Sequence, residues 1–229
     1  MRKISMKKNY LFNEPSSVVI SMGNTKVLTA ATKILRLPPH INPEKSGWIT
    51  AEYSMMPRSS SQRVERDRKG VNGRSMEIQR LIGRVLRNVF DLSKMKGISV
   101  IVDADVIQAD GGTRTASING GIASAYLLFQ KLKKEGLINE NPINFFAGAV
   151  GVAIKNGKIF SDADYEADFN ADADMNIVMD EKGNIIELQI TGEKRAIEKK
   201  ELEKAIKMAE KDIKEIIAVQ KKICGVKEG

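Results

Sequence analysis

Ile98-Ser-Val-Ile-Val-Asp-Ala-Asp-Val-Ile107 leads into Gln108-Ala-Asp-Gly-Gly-Thr-Arg-Thr-Ala-Ser117, and a mostly apolar run from Ile118 to Leu132 follows. The β-branched first part predicts a strand over Ile98 to Ile107. The last part predicts a helix over Thr115 to Glu135. Two glycines, two threonines and an arginine therefore stand where a strand turns into a helix. The first N–H groups of a helix have no internal partner and carry partial positive charge. Glycines let an anion come close to the backbone, and Arg114 adds a planar fork suited to two phosphate oxygens. The turn reads as a phosphate-binding site. Neither G-x-x-x-x-G-K-S/T nor G-x-G-x-x-G occurs in the chain, so the turn is not a known nucleotide fingerprint. On spacing alone, a tight turn with threonine caps fits equally well.

Outward from this unit, the pattern of elements predicts the architecture. Ser17 to Met22 and Lys26 to Ile34 read as strands joined by the turn signal Gly23-Asn24. Trp48 to Tyr53 reads as a third strand. A helix is predicted from near Ser75, because Ile78, Leu81, Ile82, Val85, Leu86 and Val89 recur at three and four. In the second half, Ala147 to Lys155 and Lys158 to Ser161 flank Asn156-Gly157. Asp174 to Met179 and Ile185 to Thr191 form another strand pair, and a last helix runs from Ile197 to Cys224. Strands, helix, strand, helix, strands, helix predict a two-layer α+β fold over residues 1–229 as a single domain. Gly120-Gly121 inside a helix costs stability and predicts close packing or a ligand.

Composition narrows the function. The 229 residues include one cysteine and one histidine, too few for a zinc site or a disulfide framework. No apolar run is long enough to span a membrane and no secretory segment is present, so a reducing cytoplasm is the expected setting. His40, in a Leu-Pro-Pro-His loop, is expected at the surface rather than as a base. The net charge is +8, and its placement matters more than its size. Arg58, Arg63, Arg66, Arg68, Arg74, Arg80, Arg84, Arg87 and Lys69 face only Glu65, Asp67 and Glu77, an excess of +6 in thirty residues. Arginine suits forked phosphate contacts, so this stretch predicts a polyanionic partner, RNA or DNA. A second cluster, Asp162-Ala-Asp-Tyr-Glu-Ala-Asp-Phe-Asn-Ala-Asp-Ala-Asp-Met-Asn176, holds five aspartates and one glutamate. Such a cluster suits a hard cation, magnesium before calcium, since the EF-hand pattern is absent. A basic cluster, a phosphate turn and carboxylates are the parts that metal-assisted phosphoryl transfer uses.

Four motifs then resemble one family. Gly47-Trp-Ile-Thr-Ala-Glu-Tyr-Ser-Met-Met-Pro-Arg58, Asn72-Gly-Arg-Ser-Met-Glu-Ile-Gln-Arg-Leu-Ile-Gly-Arg84, Gln108 to Ser117 and Asp174-Met-Asn-Ile-Val-Met179 are similar to the bacterial ribonuclease PH family, in order, from about Ser17 to Gln220. The resemblance implies a ribosomal protein S5 domain 2-like fold. It implies a phosphate-dependent 3′ exoribonuclease that trims transfer RNA precursors, uses Mg2+ and inorganic phosphate, and assembles as a hexamer, a trimer of dimers. Polynucleotide phosphorylase and the exosome ring subunits are its relatives, and a non-catalytic, RNA-binding ring subunit is the rival reading. Position by position, the resemblance makes Arg74, Gly112, Thr113 and Arg114 the phosphate site, and Asp168 and Asp174 the catalytic, metal-binding pair. Asp162 is expected to matter less than that pair. Arg58, Arg63, Arg66 and Arg68 are expected to guide RNA. The chain also departs from the pattern. The family opens with an Arg-x-Asp-Gly-Arg segment where this chain starts Met-Arg-Lys-Ile-Ser-Met-Lys-Lys. Its Gln-Gly-Thr is Gln189-Ile190-Thr191 here, and its Glu-Asp-Ser-x-Ala-Glu-Thr-Asp is Ala167 to Asp174, with Phe169 in place of serine.

Overall fold

Alternating burial builds the first sheet. In the computed structural model, which describes residues 1–66 and 70–226, β2 (Val18–Met22) and β3 (Thr25–Ile34) form a hairpin whose Val18, Ile20, Met22, Val27 and Ala31 point into the core. β3 pairs antiparallel with β5 (Ser99–Gln108), which buries Val100, Val102, Ala104 and Val106. β4 (Trp48–Met55) lies parallel to β5. A parallel neighbour needs a long crossover, and α1 (Gly73–Val89) supplies it. The sequence reading missed β1 (Ile4–Lys8), which pairs with β2 at the sheet edge. Its lysines are those of an edge strand that must resist further pairing, and they hide its alternation. The order is β1-β2-β3-β5-β4.

The second sheet has the order β7-β6-β8-β9 and is antiparallel throughout. β6 (Ala147–Lys155) and β7 (Lys158–Ser161) turn at Asn156-Gly157, where both residues have positive φ, 51° and 70°. β8 (Ala173–Asp180) and β9 (Ile185–Gly192) follow. Between β7 and β8 the acidic segment folds a short helix, α3 (Tyr165–Phe169), which the sequence reading also missed. With no buried residue, α3 has no apolar period to read. The final helix, α4 (Lys199–Cys224), buries Ala205, Ala209, Ile213, Ile216 and Ile217 on one face.

The central helix serves both sheets. α2 (Thr113–Lys134) packs on β2, β3 and β5 on one side and on β6 on the other, which explains its near-complete burial. Each sheet thus carries helices on one face, the expected two-layer α+β arrangement, with α2 common to both. Gly120-Gly121 resolves as close packing. A Cβ at Gly120 would come within 2.9 Å of the Thr29 side chain, and one at Gly121 within 3.3 Å of Val102. Asn119, fully buried, acts as a cross-link. Its Nδ2 donates to the Ala149 carbonyl at 2.8 Å, and its Oδ1 accepts from the Ala149 N–H at 2.7 Å. A buried amide whose donor and acceptor are both matched holds the helix against β6 in one register.

Candidate active site

The turn between β5 and α2 reaches its shape through two glycines. Gly111 and Gly112 have φ of 74° and 66°, a conformation that residues with a Cβ rarely adopt. Gly111 is also closed in from outside, because a Cβ there would strike the Ala163 carbonyl and the backbone of Asp164. The turn therefore lies directly against the start of the acidic segment. Gly112 is the N-cap of α2, and no side chain caps the helix. No threonine caps the helix, and its first N–H groups are the kind that can receive an anion. Thr115 Oγ1 donates instead to the Gly112 carbonyl at 3.0 Å, and Thr113 Oγ1 meets the Tyr53 hydroxyl at 3.0 Å.

Arg74 arrives from α1. Asn72 caps that helix by accepting from the Ser75 N–H at 2.9 Å, so the Asn-Gly-Arg motif places Arg74 in its first turn. Arg114 projects from the first turn of α2 and forms an ion pair with Glu77 at 3.5 Å. Arg74, Gly112, Thr113, Arg114, Asp168 and Asp174 all line one cavity of about 460 Å³. Residues from α1, α2, α3 and β8 converge there, although more than 90 positions separate Arg74 from Asp168.

The acidic segment sorts its carboxylates by partner. Asp164 accepts from the Ala167 N–H and caps α3, and Asp172 accepts from the Asn156 N–H at 2.7 Å. Asp162, expected to matter less than Asp168 and Asp174, has a side chain that is 0% exposed and sits in the fork of Arg2. Arg2 Nη2 donates to Asp162 Oδ1 at 2.7 Å, and Nε donates to Oδ2 at 3.1 Å. The same guanidinium donates to the carbonyls of Asp110 and Gly111. Arg2 thus joins the acidic segment to the turn between β5 and α2, so Asp162 is a structural residue and not a spare acid. Sequence reasoning missed Arg2 because its partner lies 160 residues away.

Glu166, Asp168 and Asp174 remain, and of these Asp168 and Asp174 line the cavity. Burial pushes the Asp174 carboxyl above the usual range, and the nearby Asp168 charge pushes it further. Asp168 is also raised by its surroundings, although Arg114, Arg74 and Arg2 oppose the effect. Asp174 Oδ1 is buried without a hydrogen-bond partner among the described residues. An orphaned carboxylate oxygen beside a second carboxylate fits magnesium, which takes one or two carboxylates and completes its shell with water and phosphate oxygens. Among the described residues no group of three or more His, Cys, Asp or Glu side chains forms a cage, so substrate oxygens would have to share such an ion.

Nearly the whole chain aligns with known proteins. The 3′ exoribonuclease family, domain 1, matches residues 1–127, and domain 2 of that family matches residues 146–212. The chain belongs to the 3′ exoribonuclease family. It is 47% identical to ribonuclease PH of Bacillus pumilus over 228 residues, covering 98% of this chain and 94% of that one. Identity to ribonuclease PH of Bacillus subtilis is 45%, with 98% and 93% covered. In fold, this family member resembles rice (Oryza sativa) Rrp46, with a TM-score of 0.77 at 17% identity, covering 98% and 95%. It also resembles the Archaeoglobus fulgidus exosome with RNA bound to the active site, with a TM-score of 0.79 at 20% identity, covering 94% and 87%.

The arginine cluster is not uniform. Arg84 pairs with Glu187 at 2.7 Å, and Arg87 lies over the Trp48 ring at 4.7 Å while donating to the Ile49 carbonyl. Both guanidinium groups are thus already engaged within the chain. Arg58 and Arg66 are exposed, and Arg63 lines a second cavity of about 840 Å³ that shares Arg74, Gly112 and Asp168 with the first. Arg68 lies outside the described residues. His40 is exposed and meets Trp48 edge-on. Cys224 is buried, its thiol pushed up to about 12, and so unreactive. Among the described residues no helix is long and apolar enough to cross a membrane.

Proposed function

We propose that this chain removes nucleotides from the 3′ ends of transfer RNA precursors by phosphorolysis, with Arg74, Gly112, Thr113 and Arg114 binding phosphate and Asp168 and Asp174 completing the catalytic centre. What supports the reading is one observation: those six residues, drawn from four elements, border the same cavity. Inorganic phosphate lies between the two guanidinium groups and the free N–H groups at the head of α2. Held there, its oxygen is aimed at the terminal phosphodiester for in-line attack. A new P–O bond forms, the bond to the 3′ oxygen of the penultimate nucleotide breaks, and a nucleoside diphosphate leaves. That 3′ oxygen takes up a proton to become the new 3′ hydroxyl. Asp168 and Asp174 would hold magnesium, which when bound offsets the charge gathering on the phosphoryl oxygens. Bonds of similar energy are broken and made, so excess nucleoside diphosphate drives the reaction backward. Arg58, Arg63, Arg66 and Arg68 guide the single strand through its phosphates.

The 229 residues act as a single unit in the cytoplasm, assembled as a hexamer of three dimers. Six copies of the 25.3 kDa chain give about 150 kDa under closed symmetry, a mass that light scattering reads directly. The test of the chemistry is an RNA with a free 3′ end, incubated with and without added phosphate. Nucleoside diphosphates released only with phosphate are the expected products. Monophosphates released without phosphate would make the protein a hydrolytic nuclease. Binding without either product would make it a non-catalytic ring subunit.

A further inference from the structure

Two large aromatic side chains stand in water at the rim of this otherwise polar site. Tyr165 and Phe169 begin and end α3, and the two residues are 58% and 73% exposed. Their rings stack on each other, with centroids 5.7 Å apart and planes 26° from parallel. Asp168 lies between them in sequence. Both rings border the larger cavity together with Arg63 and Arg74, and Phe169 also borders the phosphate cavity. Packing of the described chain does not explain the pair, since α3 buries no residue.

The platform is fixed relative to the phosphate turn. The Tyr165 N–H donates to Asp110 Oδ1 at 3.2 Å, and Asn24 Nδ2 donates to Asp110 Oδ2 at 3.0 Å. Asp110 itself belongs to the turn, and Gly111 packs beneath the backbone of Ala163 to Tyr165. On the other side Lys194 Nζ donates to the Asn170 carbonyl at 2.9 Å. An exposed aromatic face that is held in place beside an anion site matches a ligand with one flat apolar part and one phosphate. A nucleotide is such a ligand, and every base offers a π-face to stack on.

We propose that Tyr165 and Phe169 form a stacking platform for the base of the 3′-terminal nucleotide, the one being removed. The proposal rests on the phosphorolytic reading of the same site and adds what holds the base. Phe169 stands where the resembled motif has serine, so the second ring of the platform is a property of this chain. Stacking of this kind does not depend on base identity, which suits an enzyme that removes each nucleotide in turn.

Calorimetric binding of adenosine 5′-monophosphate and of ribose 5-phosphate, which lacks the base, tests the platform without requiring turnover. The parent chain is expected to prefer the monophosphate by about tenfold, the scale of one stacked base. Phe169→Ser should remove most of that preference and Phe169→Tyr should keep it. Affinity for inorganic phosphate should stay the same in both, and light scattering should give the parental mass. Equal binding of the two ligands by the parent would overturn the proposal, as would a preference that survives Phe169→Ser. A change of mass in Phe169→Ser with the base preference intact would instead assign the rings to a contact between subunits. Phosphorolysis of RNA whose terminal or penultimate nucleotide is abasic locates the stacked base. Slowing by the terminal lesion alone agrees with the proposal, and slowing by the penultimate lesion alone refutes it. Phosphate-dependent release of diphosphates from intact RNA by the same preparation checks the underlying reading separately.

Discussion

Arg2→Ala should both loosen the phosphate turn and destabilise the fold. Its guanidinium neutralises Asp162, a carboxylate 0% exposed, and it also donates to the Asp110 and Gly111 carbonyls. Truncation leaves a buried charge without its cation, a change that costs about 3–5 kcal/mol. In a chain of this length each kcal/mol lowers the midpoint by about 2–4 °C, so the expected drop is on the order of 10 °C. Thermal unfolding by circular dichroism reads it. In phosphorolysis assays the KM for phosphate should rise several-fold, because the N–H groups at the head of α2 are aimed by carbonyls that have lost their donor. Arg2→Lys keeps the charge without the fork and should fall between. Adding Asp162→Ala to Arg2→Ala should cost much less than the sum of the two, since the orphaned charge goes with it. A midpoint within about 2 °C of the parent and an unchanged KM for phosphate would refute the clamp.

Arg114→Ala should lower kcat/KM for phosphate about 100-fold or more, the usual scale for one preorganised donor, while RNA binding by filter retention stays near normal. Asp174→Asn should abolish phosphorolysis at ordinary magnesium, because an amide is a poor ligand for that ion, whereas Asp164→Asn should be tolerated. The same Asp174→Asn should melt higher than the parent at neutral pH. The raised Asp174 carboxyl stabilises the fold fully below the unfolded-state value of about 3.9, and that contribution is lost as pH rises through the folded value. The difference in melting should therefore close in acid, and a difference that grows in acid would contradict the sign. Replacing Arg58, Arg63 and Arg66 together should flatten the salt dependence of RNA affinity by up to about three phosphate contacts. A dinucleotide should be cleaved as before, and equal losses on long and short substrates would speak against guiding.

Legibility in the sequence followed how local each cause is. The Asn156-Gly157 turn could be read because its geometry depends on the two residues that make it. The turn between β5 and α2 could be read because its glycines are consecutive with the helix they open. β1 could not, because Ile4 joins the core, and Met6 packs against it, only through pairing with Met22 and Ile20. The ranking of the acidic residues could not either. Asp162 and Asp168 are alike as residues, and only Arg2, brought across from the other end of the chain, makes one a buried ion pair. Arg84 and Arg87 looked like members of a basic patch until Glu187 and Trp48 claimed them. The resemblance selected Arg74, Asp168 and Asp174 from their neighbours, a selection that composition and spacing alone did not make.

The seating of α2 also limits how the gene for such a protein could be divided. The two family domains meet near the C-terminal part of this helix, with one ending at residue 127 and the other beginning at 146. A break in the loop at 135–145 would leave the first fragment with a bare helix flank and Asn119 without the Ala149 backbone. The second fragment would keep α4 on its sheet but lose the contact of β6 with α2. Expressed together, the fragments should find each other through that flank, and phosphate binding should return only in the reassembled pair, because the anion turn is the head of the helix that both fragments need.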